Sequence, residues 1–273
     1  MHKTRVIPVL LLGARGLEKG VGFRDRVYVG CPRNAARVFN AHRVDELVLV
    51  DIVATPNCRP TRVDYVQEIA RETTMPFAAG GGVRSLDDMR RLLEAGADRV
   101  VLNTAAVENP CLIESGASRF GSQCMLVSID ALRHPDGRYE VFTACGTRPA
   151  GIDPVEAARI AEAAGAGELL VTAIHRDGTM SGYDVDLVRR VVDAVNIPVI
   201  AGGGAGSVEH IAEVVLRGGA AAAACGAFVV FYGKRRTVLI TYPSVRDLRA
   251  VLPEERVRNR DLVPPPDMTA ARL

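Results

Sequence analysis

A motif of three consecutive glycines occurs twice in this chain, at matching places in two related segments. Phe77–Ser85 has the sequence FAAGGGVRS, and Val199–Ser207, 122 residues further on, has the sequence VIAGGGAGS. In each copy an apolar run ends at the glycines, and a serine then begins an amphipathic segment, which predicts strand, tight turn, N-cap and helix. A single copy could be a tight turn and nothing more. Because glycine allows a ligand to approach the backbone and a helix start suits an anion, two matched copies favour phosphate binding.

The similarity between the two segments extends beyond the glycines. Asp45–Ile52 (DELVLVDI) corresponds to Gly167–Ile174 (GELLVTAI) at the same offset of 122, and Glu94–Ala97 likewise corresponds to Leu216–Gly219. Two halves of four strand–helix units each would close into one barrel with approximate two-fold symmetry. We therefore predict an α/β fold, a single (β/α)8 TIM barrel built from two similar half-barrels, in preference to a doubly wound sheet.

The predicted strands are short and apolar on both faces, as expected for strands that are buried on both sides. They are Arg5–Leu11, Glu46–Asp51, Pro76–Ala79, Arg99–Asn103, Met125–Asp130, Glu168–Ala173, Pro198–Ala201 and Ala221–Cys225. Helical patterns between them include Ala35–Phe39, Val63–Glu72, Leu86–Ala95, Pro154–Ala164, Val185–Ala194 and Val208–Leu216. The barrel is predicted to occupy residues 1–252, and the proline-containing residues 253–273 are predicted to form a flexible tail.

Two connections depart from this regular pattern. The glycine-containing stretch Gly13–Asp25 follows the first strand and is predicted to be a long loop that acts as a mobile flap. Arg133–Arg138 is predicted to be a hairpin turn, with Tyr139–Ala144 as a small outer strand.

Composition argues against nucleic acid and membranes as partners. The formal net charge is only +2, there is no Trp, and no apolar run approaches the length of a membrane span. The N-terminus leads directly into a strand, so we expect no cleavable signal and a cytoplasmic location. The six cysteines are scattered and have no histidine at ligand spacing. The sequence therefore predicts free thiols, no metal site and no cofactor.

The strand C-terminal ends of such a barrel form its active face. The third and seventh strands each present a glycine turn there, so we expect two opposite phosphate sites and a substrate phosphorylated at both ends. Asp130 ends the fifth strand and is the predicted catalytic acid or base, with the alternative that it only fixes neighbouring loops. The half-barrel repeat puts its partner at the end of the first strand, where Leu11 stands instead of a second carboxylate.

Further residues at the strand ends are predicted to bind the substrate or its phosphates. The full predicted set is Lys19, Asp51, Gly81, Gly82, Asn103, Thr104, Thr172, Asp177, Gly178, Gly203, Gly204, Gly226 and Ala227. Asn103 and Thr104 could alternatively be a polar helix cap, and Lys19 a solvated lysine of the flap. His175 is placed at the active face, where a supporting polar role is favoured over that of a base.

A second group of charged residues is predicted at the opposite end of the barrel. Arg5, Glu46, Arg99 and Glu168 each stand at the start of a strand. Two arginines and two glutamates there can form a ring of ion pairs around an entrance to the barrel interior, or they can be ordinary charges at strand ends.

These residues resemble those of HisF, the cyclase subunit of imidazole glycerol phosphate synthase, over about residues 4–230. The strings that carry the resemblance are DELV (45–48), AGGG (79–82), LNTAAVENP (102–110), SID (128–130), RDGT (176–179) and GGAG (203–206). The resemblance implies a TIM barrel that takes ammonia from a separate glutaminase, HisH, through its core. It also implies that the four-residue ring is the ammonia gate, with Arg99 where the family commonly has lysine, and that Asp98 faces the glutaminase.

The chain departs from the HisF pattern at its active face. The family's cyclase uses two aspartates, and Leu11 stands in place of the first. His175 stands where the family has another aspartate, and Ala227 where it has a phosphate-binding serine. Loss of one proton-transfer group typically lowers a rate by about 10²–10⁴-fold.

The combination of a changed active face and a retained charged ring resembles a narrower branch, the WbuZ-type paralogues. The strings that carry this second resemblance are PVLLL (8–12), YVG (28–30), VFYGK (230–234) and ITYP (240–243). That resemblance implies a synthase subunit of a glutamine-dependent amidotransferase, which forms a heterodimer with a HisH-like glutaminase and supplies ammonia to a sugar amidotransferase acting on a surface polysaccharide. One alternative is a working cyclase of histidine biosynthesis, a lyase. The other is a non-catalytic scaffold that activates the glutaminase.

Overall fold

The computed structural model describes residues 3–233, 235–253 and 256. The predicted tail over 253–273 therefore lies almost wholly outside the described residues, as does Lys234 of the VFYGK string. The barrel boundary at residue 252 stays a prediction.

The chain forms a closed barrel of eight parallel strands surrounded by helices, as predicted. The strands are β1 (Arg5–Leu12), β2 (Leu17–Val21), β3 (Arg24–Gly30), β4 (Leu47–Asp51), β5 (Phe77–Gly80), β6 (Arg99–Leu102), β7 (Met125–Arg133), β8 (Tyr139–Thr143), β9 (Arg148–Pro149), β10 (Glu168–Ala173), β11 (Val199–Gly202), β12 (Ala222–Cys225), β13 (Phe231–Tyr232) and β14 (Thr237–Val238). The barrel order is β1-β4-β5-β6-β7-β10-β11-β12, and parallel pairing of β12 with β1 closes it.

Helices cover the outside of the barrel. They are α1 (Pro32–Ala41), α2 (Val63–Glu72), α3 (Leu86–Glu94), α4 (Thr104–Glu108), α5 (Cys111–Phe120), α6 (Pro154–Ala163), α7 (Val185–Val192), α8 (Val208–Leu216), α9 (Ala227–Val230) and α10 (Val245–Val251). Ser85 and Ser207 cap α3 and α8, as predicted, by accepting hydrogen bonds from the backbone N–H groups of Asp88 and His210. No helix in the described part of the chain is long and apolar enough to cross a membrane.

The barrel interior is filled by apolar side chains, which explains why the strands show no alternation of polar and apolar residues. One face of each strand packs inward and the other packs against the helices. The inner layer consists of Ile7, Val48, Ala78, Val101, Leu126, Leu170, Ile200, Ala222 and Ala224. Charged residues of the strands are consequently confined to the two ends of the barrel.

The prediction of a long loop over Gly13–Asp25 is wrong. This stretch enters an antiparallel hairpin in which β2 pairs with the end of β1 and β3 pairs with β2. Gly22 and Phe23 form its two-residue turn, with φ of 56° and 65°, as hairpin turns with left-handed central residues require. The glycine content suggested a loop, but Gly22 permits the left-handed conformation that a tight hairpin turn needs. The β7–β8 hairpin after Arg133 was predicted correctly.

At the strand N-terminal ends, the four predicted charged residues do form a ring of ion pairs. Nη1 of Arg5 lies 2.7 Å from Oε2 of Glu46, and ion pairs Arg5–Glu168, Arg99–Glu46 and Arg99–Glu168 complete the ring. The side chains of Glu46 and Glu168 are 1% and 7% exposed, so these are not ordinary solvated charges. Whether the ring is an ammonia gate stays a prediction.

Asp98 is exposed next to this ring, on the same end of the barrel. Its Oδ2 accepts a hydrogen bond of 2.8 Å from the backbone N–H of Phe77. Asp45 does the same for Val6 at 2.9 Å. Asp98 therefore has a structural contact of its own, and its role in binding a glutaminase stays a prediction.

Replacing Arg99 by methionine should destabilise the protein by about 3 kcal/mol, because two buried glutamates then share only Arg5. Urea unfolding measures the change. Arg138→Met is the matched control, since Arg138 pairs with Asp136 in an exposed turn and such pairs contribute about 0–1 kcal/mol. Equal losses in the two variants would show that the ring is no stronger than a surface pair.

Candidate active site

A cavity of about 150 Å³ opens at the C-terminal ends of the strands. All eight barrel strands or the turns after them contribute to its wall. The predicted site residues that line it are Lys19, Asp51, Gly81, Gly82, Asn103, Thr104, Asp130, Thr172, Asp177, Gly203 and Gly226. Gly178, Gly204 and Ala227 do not line it. Most of the predicted site residues therefore lie around one cavity.

Both glycine turns face this cavity, and the backbone explains their composition. Gly81 has φ of 108° and Gly203 has φ of 82°, which side-chain-bearing residues rarely adopt. Each also packs against the carbonyl of the residue at the end of a neighbouring strand, Asp51 or Ala173. These glycines are therefore required whether the turns are only structural or also bind phosphate. The observation that favours phosphate binding is that both turns line the same cavity, where they can contact one ligand.

Asp130 lies half-buried in the cavity wall. Its Oδ2 accepts a hydrogen bond of 3.1 Å from Nδ2 of Asn103, and Oγ of Ser128 lies 3.4 Å from its Oδ1. Burial, together with the negative charge of Asp177, raises the pKa of Asp130 to about 7, and the two hydrogen bonds oppose this increase. A carboxyl group with such a pKa can both give and take a proton near neutral pH.

Leu11 lines the same cavity as Asp130. Together with Val9, Val50, Val101 and Leu170 it makes one part of the wall apolar. The side chain at this position therefore reaches the cavity but cannot transfer a proton. Asp130, whose pKa is raised, therefore has no second carboxyl group at position 11.

Lys19 is not the solvated lysine that was considered for the flap. It is 4% exposed, and its Nζ lies 3.0 Å from Oδ1 of Asp177. The absence of a side chain at Gly226 makes room for it, because a Cβ there would lie 2.5 Å from Nζ. The hairpin of β2 and β3 brings this ammonium group into the cavity, which a disordered loop could not do with the same burial.

Asp51 is held by neighbouring groups. Arg59 donates two hydrogen bonds, of 2.9 and 3.1 Å, to its carboxylate, and Arg62 lies 3.7 Å away. Its side chain is fully buried. This carboxylate therefore organises the loop after β4, while the predicted contact with substrate stays a prediction.

Asn103 and Thr104, at the start of α4, contact residues outside this helix. The side chain of Asn103 makes no capping hydrogen bond to α4 and instead donates to Asp130 and to the backbone carbonyl of Ser128. Oγ1 of Thr104 accepts a hydrogen bond of 3.0 Å from the N–H of Ala144. The alternative interpretation as a polar helix cap is therefore wrong for the Asn103 side chain, and Thr104 is the first residue of α4.

His175 points away from the cavity. Its Nε2 lies 3.0 Å from Oδ2 of the buried Asp184. Burial lowers the pKa of His175. The supporting role that the sequence favoured fits this geometry better than the role of a base.

Arg26, Arg84 and Cys145 are among the cavity residues that the sequence reasoning missed. Arg26 comes from β3, Arg84 from the first glycine turn, and Cys145 from the connection after β8. Arg84 could have been found, because it lies two residues after the last glycine of the first copy, where the second copy has Gly206. Arg26 depended on recognising the hairpin. Burial raises the pKa of the Cys145 thiol to about 11, so it is not a ready nucleophile.

The assembled site can bind an anionic ligand and transfer one proton. The two glycine turns offer backbone N–H groups, and Arg26 and Arg84 add positive charge at the cavity wall. The raised pKa of Asp130 suits proton transfer near neutral pH, and its catalytic role stays a prediction.

Residues 5–235 match the protein-family model described as "Histidine biosynthesis protein". The matched range contains all eight barrel strands, the charged ring and the whole cavity wall.

Replacing Gly203 by alanine should destabilise the protein more than replacing Gly137. Both glycines have positive φ, 82° and 86°, so both variants carry the strain of a left-handed residue, about 1–2 kcal/mol. Only at Gly203 would the new Cβ meet a backbone oxygen, 2.6 Å away, whereas Gly137 has open space. Urea unfolding should show the larger loss for Gly203→Ala. Equal losses would mean that the turn shifts without effort.

Replacing Asp130 by asparagine should stabilise the protein, and more at pH 8 than at pH 5. The pKa of Asp130 is raised to about 7, so the folded protein holds this proton more firmly than the unfolded chain. Its ionisation therefore lowers stability as the pH rises from about 4 to about 7. Thermal unfolding at the two pH values measures the gain.

The exposed Asp193 provides the control for that measurement. Asp193→Asn should show no comparable gain that grows with pH. A constant or decreasing gain for Asp130→Asn would contradict the raised pKa.

Proposed function

Because the chain belongs to the histidine biosynthesis protein family of HisF and HisA barrels, we propose that it is a HisF-like synthase subunit of a glutamine-dependent amidotransferase. In this proposal it receives ammonia from a HisH-like glutaminase at the charged end and passes it through the barrel. The ammonia then serves the amidation of a surface-polysaccharide sugar by a third protein.

The observation that carries the proposal is the difference between the two ends of one barrel. At the charged end, both arginines of the ring contact both glutamates. At the other end, the cavity keeps Asp130 and both glycine turns but has Leu11 where a second carboxylate is expected. A complete charged ring combined with an incomplete pair of proton-transfer groups favours a conduit over a cyclase.

The cavity still supports binding of a phosphorylated small molecule. Arg84 lies beside the first glycine turn, and the only described hydrogen bond of its guanidinium group is one of 3.5 Å to the carbonyl of Thr55. Such a guanidinium group is available to pair with a phosphate. In this proposal, binding of a phosphorylated ligand in the cavity signals to the glutaminase that ammonia can be used.

A working cyclase of histidine biosynthesis is the second candidate. The pKa of Asp130 near 7 favours it, because a single well-tuned group can act as acid and base in turn. The two candidates differ in the turnover they predict with ammonia and the bis-phosphate substrate of the histidine pathway. Turnover at the level of a HisF cyclase would eliminate the conduit proposal.

Leu11→Asp should increase any weak cyclase turnover by about 10²-fold, since it supplies the missing proton-transfer group to a cavity that already holds Asp130. Steady-state assay with ammonia measures it. Leu216→Asp is the matched control, because Leu216 is 50% exposed on the outside of the barrel. No increase in the Leu11 variant would mean that the cavity differs from a cyclase site in more than this position.

The glutaminase part of the proposal is tested by co-expression with the HisH-like protein encoded nearest to this chain. A stable complex whose glutaminase activity depends on this barrel is expected. A complex without such stimulation would leave the scaffold candidate without support, and the lack of any complex would overturn the proposal.

A further inference from the structure

His175 lies where a short turn leaves the cavity wall. Residues Ile174–Arg176 form a single 3-10 turn directly after β10, between the cavity residues Thr172 and Asp177. Nε2 of His175 lies 3.0 Å from Oδ2 of Asp184, and Nδ1 is 3.4 Å from the backbone nitrogen of Arg133. The carboxylate accepts and the backbone N–H donates, so the neutral tautomer with its proton on Nε2 satisfies both partners.

Asp184 is a rigid anchor for this histidine. It is 6% exposed and caps α7 by accepting a hydrogen bond of 3.0 Å from the N–H of Leu187. The hydroxyl of Tyr139, on β8, donates to both of its oxygens, at 3.0 and 2.9 Å. His175 therefore ties the turn to two elements that lie outside the cavity.

The two residues that follow this turn, Asp177 and Gly178, contact the hairpin of β2 and β3. The side chain of Asp177 pairs with Lys19 of β2 at 3.0 Å, and its backbone carbonyl accepts a hydrogen bond of 2.9 Å from the N–H of Gly22. Gly178 packs directly against the carbonyl of Gly20. The hairpin thus packs against the 174–178 segment. The hairpin in turn supplies Lys19 and Arg26 to the cavity.

We infer that His175 is a positioning residue, which in its neutral form fixes the 174–178 turn to Asp184 and through that turn holds the β2–β3 hairpin over the cavity. The role does not depend on which ligand the cavity takes or on which proposed activity is correct. It follows from the sequence of contacts Tyr139, Asp184, His175, Asp177 and Lys19.

The charges around His175 determine how this contact responds to pH. Burial lowers the pKa of His175, the nearby Arg176 and Arg133 lower it as well, and Asp184 opposes them. Arg190 faces the ring of Tyr139, and Asp186 also acts on that tyrosine. Protonation keeps the bond from Nε2 to Asp184 but also puts a proton on Nδ1, so the hydrogen bond from the backbone N–H of Arg133 is lost. Since the folded pKa is lowered, the arrangement is complete above about pH 6.5, the usual value for histidine. It is destabilised as the pH falls through the folded value.

Hydrogen exchange of the free protein at pH 7.5, followed by mass spectrometry, tests the inference without any ligand. In His175→Ala, peptides covering residues 174–178 and 17–30 should exchange about 10- to 150-fold faster, the range that corresponds to the loss of a hydrogen bond to a charged group. His175→Gln can still donate to Asp184 and should restore most of the protection.

The matched control is His134→Ala. His134 lies in the turn of the β7–β8 hairpin, with Nε2 2.8 Å from Oε2 of Glu140, and contacts neither segment of interest among the described hydrogen bonds. Unchanged exchange of residues 17–30 in His175→Ala, or the same acceleration in His134→Ala, would overturn the inference.

A pH series separates positioning from ordinary packing. After correction for intrinsic exchange, wild-type protection of residues 17–30 should fall between pH 7.5 and 5.5, while His175→Gln should change much less. Asp130 titrates in the same range, but both proteins contain it, so their difference isolates His175. Identical profiles would show that the histidine has no such role.

Discussion

The closure of eight parallel strands into a ring is the constraint from which the other features follow. Parallel pairing of β12 with β1 leaves no free sheet edge in the barrel, and burial of both faces leaves no place for charge along the strands. The polar residues of the strands can stand only at their ends. The result is one barrel with two chemically different mouths, joined by an apolar interior of residues such as Ile7 and Leu126.

The sequence predicted this architecture well because its signals were local and repeated. The apolar strands, the serine caps at Ser85 and Ser207 and the 122-residue offset each have a direct physical cause in strand burial, capping and half-barrel duplication. The ring of Arg5, Glu46, Arg99 and Glu168 was predictable as well, since the barrel topology alone brings strand starts together. What topology could not supply was how strongly each carboxylate is buried.

The errors arose where glycine content and exposure were judged from the sequence alone. Gly20 and Gly22 suggested a flexible flap, but both allow a hairpin to turn and to pack closely, and the hairpin buries Lys19 against Asp177. Arg26 was missed for the same reason. Contacts between distant segments, such as His175 with Asp184 or Asn103 with Asp130, have no signature in local sequence and required the folded chain.

The composition of the ring limits how the charged mouth can ever open. Both of its cations are arginines, and an arginine side chain keeps its positive charge in proteins. Each one also bridges two glutamates, so the four groups hold one another in a closed circuit. Deprotonation of a cation therefore cannot open this end of the barrel. Any passage there requires that at least one guanidinium group move aside.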